Sequence, residues 1–195
     1  MSKGARTREQ VVERSAALFN QLGYHGASLS DIMGATGLKK GGIYRHFSNK
    51  QQLELEAFDY SVQKMRERFT QALVGKQGAR ERILAVVGVY ATLPLNPPVP
   101  GGCPVLNAAV EADDTYPALR ERAKLVMNQL KRFLKEVLRD GVNDGEFRAG
   151  FDLERTVSGM MALFEGLVML SKLYGSQLPM RHCAAHFEGW LDSLA

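Results

Sequence analysis

Cysteine is scarce: Cys103 and Cys183 are the only two in 195 residues. Two thiols cannot frame a chain of this length, which excludes a disulfide-stapled secreted scaffold and points to a reducing compartment. No uninterrupted run of eighteen apolar residues occurs, so neither a spanning helix nor a membrane partner is expected. Residues 1–14 carry charges and no continuous apolar stretch, so they do not read as a signal peptide, and the cytoplasm is the expected location. Alternating apolar and polar residues, internal repeats and low-complexity tails are missing as well, which leaves little room for strands. A phosphate loop, HExxH, GxSxG and any plausible catalytic pair are also missing. Neither an enzyme nor a cofactor is therefore expected.

What is present is the balance of a globular protein, 45% apolar and 24% charged. The net charge of +4 is unevenly spread. Residues 1–50 hold eight bases (Lys3, Arg6, Arg8, Arg14, Lys39, Lys40, Arg45, Lys50) against Glu9, Glu13 and Asp31, whereas the rest holds 17 bases and 18 acids. A local basic excess is the footprint of a polyanion-binding face, with a merely solvated basic surface as the competing reading.

Helical periodicity dominates. Val11, Val12, Ala16, Leu18, Phe19 and Leu22 recur at three- and four-residue steps and predict a helix from Arg6 to Gly23. Ser28 and Asp31 are spaced as a capping box before a short helix, about Ser28 to Thr36. Gly37 suits the left-handed turn that ends it. A third helix is predicted over about Lys39 to Phe47, and Asn49 is placed to cap a fourth. Two short helices joined by a glycine turn make a helix-turn-helix. Beyond them, helices are predicted over about Arg82–Leu93, Pro104–Asp113, Tyr116–Asn143, Asp152–Tyr174 and Pro179–Leu194, with Pro94–Gly102 as loop. The fold class is all-α, with about nine helices.

The segment from Ser28 to Lys50 carries Asp31-Ile32, Gly37, Gly41, Tyr44, His46-Phe47 and Lys50 in order. Over roughly residues 6–60 it resembles the TetR family of bacterial transcriptional regulators. The resemblance implies a dimeric regulator, usually a repressor, that binds a palindromic operator in double-stranded DNA and is released by a small-molecule effector. It divides the chain into residues 1–50, a helix-turn-helix DNA-binding domain continuing into a connecting helix over 50–73, and residues 74–195, a ligand-binding and dimerisation domain.

A recognition helix must lay its first residues against base edges in the major groove. Lys40, Gly41 and Gly42 take that place, and side-chain-free glycines let the backbone come close. Lys40 can donate to guanine, and Arg45 to a base or a phosphate. The resemblance puts Tyr44, His46 and Lys50 on the DNA backbone. Ser28 and Ser30, at an amide-rich helix start, can also hold phosphate. For Tyr44 a core aromatic, for His46 a helix-end residue, and for Lys39 and Lys40 a solvent-facing role are the competing readings. Ile32, Leu38, Ile43 and Phe47 are assigned to the small core. Lys39 departs from the family, which usually has a capping Ser or Thr there, and Ala27 stands where threonine is frequent. Both leave the target sequence open.

In the C-terminal part the family supplies the roles and the residues supply the candidates. Tyr90, Cys103, Met127, Met160, Met161 and Phe164 are candidates for an adaptable apolar pocket, with ordinary core as the alternative for each. Glu111 and Glu165 are candidate ligand partners or structural carboxylates. Val157, Leu167, Leu170, His186, Phe187 and Trp190 are candidates for the dimer interface, because a helix apolar nearly all round must be covered on two sides. Cys103, between Gly102 and Pro104, reads either as an electrophile sensor at a helix start or as a small packed residue. His182, Cys183 and His186 have helical ligand spacing, but no second ligand cluster supports a metal site. Two rival functions remain at this point: an enzyme or carrier with a vestigial helix-turn-helix, and a non-specific DNA-organising protein.

Overall fold

The computed structural model describes residues 2–112 and 114–194. Among them the chain forms helices only: α1 (Lys3–Leu22), α2 (Leu29–Thr36), α3 (Lys40–Tyr44), α4 (Lys50–Leu73), α5 (Ala79–Thr92), α6 (Pro104–Ala112), α7 (Pro117–Asn143), α8 (Leu153–Tyr174) and α9 (Leu178–Asp192). The all-α class and the count of nine agree with the sequence. Asp113, the predicted end of α6, lies outside the described residues.

The helix ends follow local chemistry. Ser28 Oγ accepts the Asp31 amide at 3.2 Å, and Asp31 Oδ2 accepts the Ser28 amide at 2.8 Å, so the predicted capping box is formed. That pair of bonds settles two orphan donors at the start of α2. Gly37 closes α2 in the left-handed region, at φ 73° and ψ 10°. Asn49 Oδ1 accepts the Gln52 amide at 2.8 Å and starts α4, and Asp152 Oδ1 accepts the Arg155 amide at 3.0 Å and starts α8. Three boundaries need correction, the first being α1, which starts at Lys3, three residues early, because Ser2 Oγ accepts the Ala5 amide at 3.2 Å. The third helix is only Lys40–Tyr44, because an uncapped Lys39 begins it and the chain turns at Arg45 and His46. Helix α5 starts at Ala79, three residues early, because a distant carboxylate caps it. Glu146 accepts the Ala79 amide at 3.1 Å and the Arg80 amide at 3.0 Å, a partner that no local pattern announces.

Packing divides the chain into two compact units. The first holds the residues up to Met65 together with Pro97–Lys124. The second holds Arg66–Asn96 and the residues from Leu125 onward. These units differ from a division at residue 74, which leaves the whole of Pro97–Lys124 with the C-terminal part.

The reason lies in the first unit's polar bonds. Glu111 Oε2 on α6 accepts the amides of Tyr24, at 2.8 Å, and His25, at 3.2 Å. Asn107 Nδ2 donates to Asn20 Oδ1 at 2.8 Å, and Asn20 Nδ2 donates to the Pro100 carbonyl at 2.9 Å. The Tyr116 hydroxyl donates to the Gln51 carbonyl at 3.2 Å. Around these bonds Phe19 stacks on Tyr24 (centroids 5.5 Å apart), and Ile32, Ile43, Leu53 and Phe58 are almost wholly buried. Glu111 is thus a structural carboxylate.

In the second unit α9 packs on α5 and α8. Tyr90 stacks on Phe164 at 4.6 Å, Phe164 meets Phe187 at 5.1 Å, and Phe187 meets Trp190 edge-on at 6.2 Å. Leu134, Val137 and Leu138 of α7 are also fully buried. By length and composition alone α8 is apolar enough to cross a bilayer. A core helix of a globular protein passes the same test, and Glu165 interrupts the apolar run of this one. Val157, Met160, Phe164 and Val168 bury one stripe of α8 in the protein core.

Candidate nucleic-acid interface

The helix-turn-helix is α2, a three-residue turn and α3. Ile32, Ile43 and Phe47 are buried at 0–2% exposure, while Leu38 is half-buried. They lock the two short helices while leaving one side of α3 open. On that side Lys39, Lys40, Gly41, Tyr44 and Arg45 are exposed. Tyr44 is one of the few large hydrophobic side chains that the first unit leaves in solvent, at 37% exposure. Gly42 and His46 are half-buried.

Gly41 and Gly42 have ordinary negative φ angles. A Cβ built at Gly41 meets nothing within 4 Å, and one at Gly42 meets only Leu38, at a comfortable 3.6 Å. Nothing inside the chain requires glycine at either position. Each costs the helix about 1 kcal/mol relative to alanine.

The remaining candidates are placed differently. Ser30 is exposed in the first turn of α2. The Ser28 hydroxyl is spent on its own cap: it accepts the Asp31 amide and donates to Asp31 Oδ2 at 2.6 Å. These bonds from Ser28 hold the Asp31 carboxyl below its usual range. Lys50 is half-buried, and its Nζ donates to the Tyr24 carbonyl at 2.8 Å. It also pairs with Glu54, 3.0 Å away, and lies 5.9 Å from the centre of the Phe19 ring. Glu54 itself is only 4% exposed, so Lys50 neutralises a buried carboxylate. Burial, then the neighbouring Glu54, push the Tyr116 phenol above its ordinary range. Sequence reasoning missed this cluster; the i, i+4 spacing of Lys50 and Glu54 was its one readable sign.

An open face on a glycine-bearing α3, bases at its start and a buried core behind it are what a major groove needs. The comparisons agree. Residues 11–57 match the family described as bacterial regulatory proteins, tetR family. Residues 79–187, more than half of the chain, match the tetracyclin repressor-like C-terminal domain. The chain belongs to the TetR family.

A TetR transcriptional regulator from Chloroflexus aurantiacus is 43% identical, covers 100% of both chains and superposes with a TM-score of 0.96. An HTH-type transcriptional regulator of Mycobacterium tuberculosis is 30% identical over 108 residues, and this chain spans 54% of its length. The TetR-family regulator CifR, solved as a cysteine mutant with 26 bp of operator DNA, is 23% identical with 96% of each chain covered and a TM-score of 0.79. The family is one of transcription regulators and not of enzymes.

The TetR-family chain distributes the C-terminal candidates unevenly. Tyr90, Met160 and Phe164 are buried in the second unit, and Met127 and Met161 are half-buried there. Cys103 belongs to the first unit. It is 1% exposed, and its Sγ lies 3.5 Å from the Leu106 amide at the start of α6. Tyr90 donates from its hydroxyl to Glu165 Oε1 at 3.2 Å.

The dimer candidates also separate. Val157 and Phe187 are 0% and 1% exposed within the subunit. Leu167, Leu170 and His186 line an open apolar groove of about 630 Å³ with Leu163, Tyr174 and Leu178. Trp190 lines a neighbouring groove, which shares Leu163 and His186 with the first. Burial pushes the Cys183 thiol up to about 11. His182 and His186 stay exposed, and no group of three or more potential ligands occurs among the described residues.

Proposed function

We propose that this TetR-family chain acts in the cytoplasm as a homodimeric repressor. Its α2–α3 head binds a near-palindromic DNA operator and is released when the C-terminal half takes up a small-molecule effector. The division of labour follows the two parts of the sequence: helices up to Lys50 read DNA, α4 connects, and the remainder binds ligand and dimerises. Two heads related by a two-fold axis present α3 to successive major grooves, about 34–36 Å apart. Lys40 and Arg45 reach base edges or phosphates, Tyr44 and His46 contact the backbone, and Lys39 and Ser30 add phosphate contacts. The apolar flank of α8 and α9, with Leu163, Leu167, Leu170, Tyr174 and Leu178 uncovered, meets its symmetry copy. Tyr90, Met127, Met160, Met161 and Phe164 give the effector an apolar, deformable surround. An electrophile acting through Cys103 would first have to uncover a thiol that is 1% exposed. That burial favours a non-covalent effector.

The observation that carries the reading is the pair of glycines on α3 that the chain itself does not need. Gly41→Ala separates folding from recognition. With open space around the new methyl group, the variant should be more stable by about 0.5–1 kcal/mol in urea melts. It should bind operator DNA more weakly in gel shifts, because the methyl group holds α3 away from the groove. Equal operator affinity would remove the main support for α3 as the reading helix. Equal affinity of the wild type for operator and scrambled duplex would favour a DNA-organising protein.

A further inference from the structure

The basic excess of the first fifty residues invites the idea that all eight cations face DNA. The structure spends three of them internally. Lys50 is held by Glu54 and the Tyr24 carbonyl. The other two are Arg8 and Arg14, both on α1.

The Arg8 guanidinium lies over the Phe47 ring, 4.8 Å from its centre, and pairs with Glu56 on α4 at 2.6 Å. Phe47 follows the turn that ends α3, and its amide donates to the Ile43 carbonyl at 3.2 Å. Glu56 also accepts from Gln52 Nε2 at 3.0 Å. Gln52 in turn accepts the Ser48 amide at 2.7 Å, and its own amide is capped by Asn49. A single chain of contacts therefore runs from Arg8 through the whole corner between α3 and α4.

Arg14 works at the opposite end. Its Nη1 donates to the Ala35 and Thr36 carbonyls, each at 3.3 Å. These are among the last carbonyls of α2, which lack partners within their own helix. A cation there also opposes the negative end of the helix dipole. The turn that leads into α3 starts one residue later, at Gly37.

We propose that Arg8 and Arg14 are positioning residues that bracket α3, Arg14 fixing the turn before it and Arg8 the corner after it, and that neither grips DNA. This rests on the reading of α3 as the DNA-contacting helix. It has a physical motive. With five residues, two of them glycine and no side-chain cap, α3 cannot hold its own conformation, since isolated helices well above that length are marginal in water. Its rigidity must come from both ends. The cations left for DNA are then Lys3, Arg6, Lys39, Lys40 and Arg45.

The test uses the full-length protein and a duplex that the wild type enriches from random-sequence DNA, with affinity measured over a range of salt. A cation that touches phosphate contributes about 0.9 to the slope of log affinity against log salt, and a positioning residue contributes nothing. Lys40→Ala should flatten the slope by about that amount per head. Arg8→Gln and Arg14→Gln should each lower affinity several-fold at every salt concentration, giving lines parallel to the wild type. Glu56→Gln keeps the cation and removes its partner. It should weaken binding as Arg8→Gln does, whereas a phosphate-gripping Arg8, freed of its acid, would bind more tightly.

Far-UV circular dichroism and a urea melt for each variant show whether the head is folded, and Glu56→Gln gives an independent reading if Arg8→Gln is not. A flattened slope for Arg8→Gln or Arg14→Gln would overturn the proposal, as would unchanged affinity in both, or tighter binding by Glu56→Gln. If the wild type enriched no duplex, the DNA reading itself would fall, and this inference with it.

Discussion

The two packing units solve opposite problems with their surfaces. In the first, nearly every large apolar side chain around the helix-turn-helix is buried, and what faces outward on α3 is charge, a phenol and bare glycine backbone. In the second, Leu163, Met169, Leu173, Tyr174 and Leu178 stand 41–69% exposed along α8 and at the start of α9. A polar open face suits a hydrated, charged partner that is bound and released. A contiguous apolar face is a cost to a protein alone in water and calls for a lasting cover. Under the proposed function, that contrast would let one chain hold a copy of itself lastingly and DNA conditionally.

The sharpest way to break that contrast is to charge the apolar face. Leu163 is 41% exposed and lines both grooves, so Leu163→Glu should leave the fold of the subunit intact. It would bury an unpaired carboxylate between copies, at a cost of about 3 kcal/mol or more, or roughly 100-fold in dimer dissociation. Light scattering coupled to gel filtration should show monomers at concentrations where the wild type is dimeric. A variant that stays dimeric would move the interface elsewhere.

A smaller effect is expected from Lys50→Met. It strands Glu54, which is 4% exposed, and should cost about 2 kcal/mol in a urea melt, less than a fully buried pair because Lys50 itself is half-exposed. Replacing Glu54 by leucine in the same chain should recover most of that loss. A melt unchanged by Lys50→Met would show that the ammonium is not needed where the structure places it.

The smallest effect concerns pH. The Ser28 bonds keep the Asp31 carboxyl below its ordinary value, so the folded state binds this proton less readily than the unfolded one. The resulting stability is fully present above the unfolded pKa and is lost as pH falls through the folded one. Asp31→Asn should therefore be slightly less stable than the wild type at neutral pH, and the two should converge in acid. A gap that persisted in acid would assign the effect to shape instead of charge.

Much of this was legible in the sequence because it depends on neighbours in the chain. The Ser28–Asp31 box, the Gly37 turn, the Asn49 cap and the Asp152 cap each need only residues three or four apart. Part of the head's core was legible too, since Ile43 and Phe47 are four residues apart and Ile32 is an apolar position of the other short helix. Contacts between residues far apart in sequence were not. Glu146 capping α5, Glu111 capping the turn after α1, and Lys50 reaching the Tyr24 carbonyl carry no local trace. Net charge misled in the same way, since counting bases cannot separate an arginine that faces solvent from one that holds a neighbouring helix. On α8, periodicity identified an apolar helix but not which stripe of it the subunit would keep for itself. Val157 went inward, while Leu163 stayed outside.

The bonds from Glu111 to Tyr24 and His25 bear on how this molecule can be re-engineered. The position that a side chain at Gly23 would need is already taken by the Glu111 carboxylate, 2.6 Å from where its first carbon would sit. The packing unit that carries the helix-turn-helix is therefore encoded in two separate stretches of the gene. A chimera that grafts only the first sixty-odd codons onto another regulator would leave two backbone amides bare and set a foreign α6 against a turn shaped for this one. Exchanging target specificity between relatives would work best when residues 97–124 travel with the head.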